Sequence, residues 1–98
     1  MSPTSPPTGP VRERILFRGK VQGVGFRQRT RSNARCFPVV GYVRNLGDGS
    51  VELVVQGPQS AVNGLIQQIS GDFAGSITDV VREPWGGSEE FTEFEIRF

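Results

Sequence analysis

The chain has 98 residues, of which 36% are hydrophobic and 21% charged, the size and composition of one small folded domain. It contains no histidine and one cysteine, Cys36, which excludes imidazole catalysis, a serine-histidine-aspartate triad, an internal disulfide and a cysteine-rich zinc site. The formal charge is +1, but nine of the 11 basic residues lie between Val11 and Arg44, against one acid. This basic half predicts attraction for an anion, either a small phosphate compound or a nucleic acid backbone.

The first ten residues contain four of the seven prolines, together with serine, threonine and glycine. This composition predicts a disordered or polyproline tail over 1–10 and a domain over 11–98. There is no leader with a charged and then an apolar region, and no run of 18 apolar residues. We therefore expect a cytoplasmic protein without membrane partners, and a lone cysteine fits a reducing compartment.

The next segment predicts a strand, a loop and a helix. Over 14–18, Ile15 and Phe17 alternate with Arg14, Leu16 and Arg18, as in a strand with one apolar face. Three glycines within residues 19–25 predict a loop. From Phe26, apolar or small residues recur at close to helical spacing, and Pro38 should end that helix.

A hairpin and a second helix follow. The β-rich runs 41–45 and 50–56 flank Leu46-Gly47-Asp48-Gly49, which is typical of a hairpin turn. Apolar residues at 62, 65, 66 and 69 predict an amphipathic helix, in which Gly64 should cost about 1 kcal/mol relative to alanine.

Two further strands are predicted over 77–82 and 91–98. The resulting order, βαββαβ with the last strand split in two, is the ferredoxin-like pattern. The predicted class is therefore α+β: an α/β sandwich with a mainly antiparallel sheet of four to five strands and two helices on one face. Because this fold has many functions, the site must be argued from its residues.

The glycine loop is the first candidate site. Gly19, Gly23 and Gly25 allow positive φ, so the loop can turn successive N–H groups inward around an anion, at the positive end of the following helix. A simple strand-to-helix turn would also use glycine. Arg27 favours the phosphate site, because a cation in the first helical turn opposes the dipole by ~0.3 to 1 kcal/mol unless an anion binds there.

Asn45 is the second candidate. Strand parity places it on the helix-covered face, where its amide either caps the hairpin turn or holds a water. Asp48 and Glu52 are predicted as solvated charges of the turn or strand edge, and Cys36 as a small packing residue.

The segment Gly19-Lys20-Val21-Gln22-Gly23-Val24-Gly25-Phe26-Arg27 resembles the first signature of the acylphosphatase family. Gly41-Tyr42-Val43-Arg44-Asn45, with Gly49, Val51 and Gly57 at the family's spacing, resembles the second. The similarity covers residues 11–98. It departs from the family in the polar, basic segment 28–33 and at Cys36-Phe37-Pro38, which affects packing and surface charge.

The resemblance implies an α/β sandwich that hydrolyses the carboxyl-phosphate bond of acyl phosphates to carboxylate and inorganic phosphate, without a metal or cofactor. It implies catalytic roles for Arg27, in phosphate binding, and for Asn45, in positioning the attacking water. The phosphate would be bound by the loop and the first helical residues, namely Val21, Gln22, Gly23, Val24, Gly25, Phe26 and Arg27.

This reaction requires no general acid, because the leaving carboxylate departs without protonation. The expected partners are a small acyl phosphate and its product phosphate, with no nucleic acid, and a monomer is expected. One alternative is a carbamoyl-phosphate-handling domain like that of hydrogenase-maturation carbamoyltransferases, which Val81-Arg82-Glu83-Pro84 faintly resembles. Another is a non-enzymatic anion-binding or RNA-binding ferredoxin-like module. The stripe of Arg27, Arg31 and Arg35 favours it, but base-stacking aromatics of the usual kind are missing.

Overall fold

The structure, a computed structural model, describes residues 9–98, so most of the predicted tail lies outside the described residues. The elements follow one another in the predicted βαββαβ order with a split last strand. They are β1 (Val11–Gly19), α1 (Phe26–Ala34), β2 (Val40–Asn45), β3 (Val51–Gly57), α2 (Gln59–Asp72), β4 (Ile77–Pro84) and β5 (Phe94–Arg97).

The strands form one mixed sheet in the order β4-β1-β3-β2-β5. All neighbours are antiparallel except β2 and β5, which run parallel. Alternate residues of the central strands are buried together with the apolar faces of both helices. This core includes Ile15, Phe17, Val43, Leu53, Val55, Leu65 and Ile69. Because the sheet is covered by two helices, the predicted α+β ferredoxin-like class is confirmed.

The end of α1 differs from its prediction. The helix ends at Ala34, before the residue preceding Pro38. The chain then tightens into three-residue turns, with the N–H of Cys36 donating to Asn33 O and that of Phe37 to Ala34 O. Cys36 therefore lies beyond the buried face of the helix and is exposed, so its prediction as a packing residue was wrong.

The last strand is also shorter than predicted. β5 begins at Phe94, because Phe91 leaves the sheet and packs against Trp85 and Tyr42, with ring centroids 5.2 and 5.9 Å away. The segment 85–93 thereby covers part of the sheet face opposite the helices. Arg12 stacks beneath its rings, 4.7 Å from the Trp85 centroid.

Glu52 lies on this outer face and is only 3% exposed, so its prediction as a solvated strand-edge charge was wrong. The Nε groups of Arg14 and Arg44, on the neighbouring strands β1 and β2, donate to its carboxylate. Burial by itself raises the pKa of Glu52, but these hydrogen bonds outweigh it and hold the pKa below its ordinary value. Among residues 9–98, no helix is both long and apolar enough to cross a membrane.

Candidate active site

The loop between β1 and α1 has the backbone predicted from its glycines. Gly23 and Gly25 both have φ of +77°, in the left-handed region that disfavours side chains. Gly25 is the residue that precedes α1, and no side chain caps the helix there. The first turn of α1 therefore opens directly onto the loop.

The N–H groups of this segment are unused within the fold. Among the described residues, no N–H from Val21 to Gln28 donates to a backbone acceptor, and the first helical bond is from Arg29 N to Gly25 O. Such a run of free donors at a helix N-terminus is suited to binding an anion.

Arg27 lies in the first turn of α1 and is half-buried. Its guanidinium carbon lies 4.8 Å from the centroid of the Phe98 ring, and its Nη1 lies 3.5 Å from Arg97 O. Within residues 9–98 no carboxylate forms an ion pair with it. Its charge is therefore available to a bound anion.

Asn45 is the last residue of β2, and Val43, two residues before it, belongs to the core that the helices cover, which confirms the predicted face. Its Oδ1 is buried and accepts no hydrogen bond from any described residue. A buried acceptor without a partner is costly unless a water or ligand supplies the donor. The turn is closed instead by Asp48, whose carboxylate accepts hydrogen bonds from the hydroxyl and N–H of Ser50.

The loop, Arg27 and Asn45 meet at one small cavity of about 90 Å³. Its lining comprises Val21, Gly23, Gly25, Phe26, Arg27, Gln28 and Asn45. Two predicted residues turn their side chains elsewhere: Gln22 donates to carbonyls of the β2–β3 turn, and Val24 is half exposed. Gln28 was missed, although its place beside Arg27 in the first helical turn could have indicated it.

The groups at the cavity are N–H donors, a cation and one buried amide oxygen. Neither nearby acid is placed to act as a base there, because Asp48 is held in the exposed turn and Glu52 lies on the outer face. In the part of the chain that the structure describes, no three histidine, cysteine or acidic residues are grouped so as to hold a metal ion. The arrangement can therefore bind a compact anion beside a site for one water.

Comparison with known proteins identifies the family. Residues 13–96 match the acylphosphatase family. An acylphosphatase of Caldivirga maquilingensis is 47% identical over 90 residues, covering 90% of this chain and 95% of that protein. The crystal structure of an acylphosphatase from Bacillus subtilis superposes with a TM-score of 0.80 at 31% identity, over 90% of this chain and 99% of that one.

A longer protein contains a similar domain. The T. kodakarensis HypF structure matches 88% of this chain but only 12% of its own, with a TM-score of 0.77 and 26% identity. The relatives of similar length are acylphosphatases. The chain belongs to the acylphosphatase family and is an acylphosphatase, an enzyme that hydrolyses acyl phosphates to release phosphate.

Proposed function

We propose that the small cavity binds the phosphate of an acyl phosphate through the N–H groups of residues 21–26 and through Arg27, and that Asn45 positions the attacking water. One observation carries the proposal: a guanidinium with no ion-pair partner and a buried amide oxygen with no donor, among residues 9–98, line the same 90 Å³ cavity. The buried oxygen is costly without a donor, which a water supplies, and a phosphate supplies the anion that the guanidinium lacks.

The binding step follows from charge and geometry. Arg27 opposes the dipole of α1, and a phosphate dianion between the guanidinium and the free N–H groups reverses this into attraction. A guanidinium binds two phosphate oxygens at once, which orients the group as well as holding it. The phosphate then has a fixed position relative to Asn45.

The chemical step needs electrostatic stabilisation more than proton transfer. Phosphoryl transfer passes through a loose transition state with charge on the equatorial oxygens, which Arg27 and the loop N–H groups stabilise. The Asn45 Oδ1 accepts a hydrogen bond from the water and directs its lone pair at phosphorus. The proton passes to a phosphate oxygen of the substrate, and the acyl carboxylate leaves without protonation.

The first test is Arg27→Ala, assayed by hydrolysis of benzoyl phosphate. We expect kcat/KM to fall by roughly 10²- to 10³-fold, the usual effect of removing one donor to a developing oxyanion, and competition by inorganic phosphate to be lost. Arg31→Ala, one turn along α1 and outside the cavity, is the control and should remain near wild type.

The second test is Asn45→Ala, which should separate turnover from binding. Its kcat should fall by roughly 10²-fold, because the water loses its orientation, while the inhibition constant of inorganic phosphate stays near that of the wild type. Asn63→Ala, at an exposed position of α2, is the matched control. Near-wild-type kcat in both Arg27→Ala and Asn45→Ala would overturn the proposed roles. Carbamoyl phosphate assayed beside benzoyl phosphate tests the carbamoyl-phosphate alternative.

A further inference from the structure

A second, larger cavity adjoins the phosphate cavity. It measures about 380 Å³ and lies between the start of α1 and the end of α2. Its lining comprises Val24, Gly25, Gln28, Arg29, Ser32, Asp72 and Phe73. Gly25 and Gln28 line both cavities, whereas Arg27 and Asn45 line only the small one.

The direction of attack favours this cavity for the acyl group. In phosphoryl transfer the nucleophile and the leaving group lie roughly in line on opposite sides of phosphorus. With the water at Asn45, the leaving carboxylate must point away from that residue. The larger cavity shares Gly25 and Gln28 with the small one and does not have Asn45 in its lining, so it is the neighbouring space away from the water.

The walls of the larger cavity combine apolar and polar groups. Val24, which is 50% exposed, and Phe73 are its apolar lining residues. Gln28 and Ser32 supply neutral hydrogen-bonding groups. An acyl group with an apolar body could bury the exposed valine, which would gain free energy from the removal of apolar surface from water.

Arg29 is the cation of this cavity, and its one ion pair in the described chain is loose. Its Nε lies 3.8 Å from Asp72 Oδ2, and the side chain is 61% exposed. The oxygens of Asp72 already accept hydrogen bonds from Asn33, at 2.9 Å, and from Gln68, at 3.2 Å. At 3.8 Å the Nε of Arg29 donates no hydrogen bond to Asp72, so the guanidinium is available to another carboxylate.

The surrounding charge also favours an anionic acyl group. Helix α1 carries three arginines and no acid. Asp72 is the one acid lining the cavity. The arginines of the helix offset its negative charge, and the Asn33 amide donates a hydrogen bond to it.

We propose that the larger cavity binds the acyl group and selects acyl phosphates that have an apolar body and a distal carboxylate, which pairs with Arg29. The inference rests on the proposed roles of Arg27 and Asn45, because these fix the direction in which the acyl group leaves. It names a substrate class with two anionic ends, a phosphate and a carboxylate.

The test compares two acyl phosphates of matched size, 4-carboxybenzoyl phosphate and 4-methylbenzoyl phosphate. In the wild type we expect a lower KM for 4-carboxybenzoyl phosphate than for 4-methylbenzoyl phosphate. In Arg29→Gln the ratio of kcat/KM for the carboxy compound over the methyl compound should fall about fivefold, the factor for one solvent-exposed ion pair. The change should appear in KM rather than in kcat. Arg35→Gln removes the same charge outside the cavity and should leave the ratio unchanged. An unchanged ratio in Arg29→Gln would overturn the pairing.

A second variant tests the place of the acyl group. Ser32→Trp puts a large ring into the larger cavity from an exposed helical position. The ratio of kcat/KM for benzoyl phosphate over acetyl phosphate should fall about tenfold, because the short acetyl group ends before the blocked space. An equal loss on both substrates, or no loss, would place the acyl group elsewhere. Neither of these results would argue against the proposed phosphate site. That proposal fails separately, if Arg27→Ala and Asn45→Ala still hydrolyse acetyl phosphate.

Discussion

At the scale of single residues, the side chain of Gln22 connects the phosphate loop to the strand that carries Asn45. Its Nε2 donates to Leu46 O at 2.7 Å and to Ser50 O at 2.9 Å, the carbonyls on either side of the β2–β3 turn. The sequence predicted Gln22 only as part of the loop, since nothing in its spacing indicates a partner 24 residues away. In the proposed mechanism, this amide would set the distance between the bound phosphate and the attacking water.

We therefore expect Gln22→Ala to act on turnover more than on binding. The loop N–H groups remain, but their position relative to Asn45 is no longer fixed, and a misplacement of about 1 Å can cost up to ~10²-fold in rate. The kcat for benzoyl phosphate should fall about tenfold, with the inhibition constant of inorganic phosphate little changed. Gln22→Glu should be worse, because a carboxylate would face two carbonyl oxygens. An unchanged kcat in both variants would show that the bridge does not position the site.

At the scale of elements, Gly64 in α2 shows why a local rule can fail. Propensity alone predicts that Gly64→Ala gains about 1 kcal/mol. In the fold, a Cβ at this position would meet Phe37 Cε1 at 2.6 Å, in the turn that follows α1. The missing side chain is thus what lets the ring of Phe37 pack on the core.

We expect Gly64→Ala to lower the free energy of unfolding by about 1 kcal/mol, because overpacking outweighs the gain in helix propensity. Urea denaturation measures this, and in a Phe37→Leu background the same change should become neutral or stabilising. A gain in the wild-type background would contradict the packing explanation.

The elements themselves could be predicted because their residues repeat with a local period. Alternation over β1 and helical spacing in α2 contributed to the predicted order βαββαβ, which the structure has. Strand parity predicted only the face on which Asn45 lies, and on that face Asn45 lines one cavity with residues of the glycine loop. What failed depends on contacts between distant elements. The last strand was predicted to begin at Phe91, but Phe91 packs on Trp85, and Glu52 is buried by arginines from two other strands. No local pattern contains those partners.

At the scale of the whole molecule, the basic half of the sequence does not form one basic surface. Arg14 and Arg44 lie on the outer face of the sheet and pair with Glu52, and Arg12 is stacked beneath Trp85. Arg27 lines the small cavity on the helix-covered side of the sheet. The acids of the later half supply partners for the basic first half across the sheet. This distribution favours a local anion site over the extended basic face that a nucleic acid backbone requires.

The same pairing makes stability depend on pH through Glu52. Its pKa is lowered in the fold, so its contribution is complete above its unfolded pKa and is lost as the pH falls through the folded value. At pH 7, Glu52→Gln leaves Arg14 and Arg44 side by side without their anion, and we expect it to lower the free energy of unfolding by about 2 kcal/mol. The difference from wild type should shrink as the pH falls from about 5 to 3, because the wild-type carboxyl becomes neutral as well.

Urea unfolding of both proteins at several pH values measures this difference. Glu83→Gln, which removes the exposed partner of Arg14, should change stability by no more than about 0.5 kcal/mol at any pH. A Glu52→Gln deficit that stays constant down to pH 3 would mean that the amide is poorly packed, and that the charge of the carboxylate does not hold the three strands together.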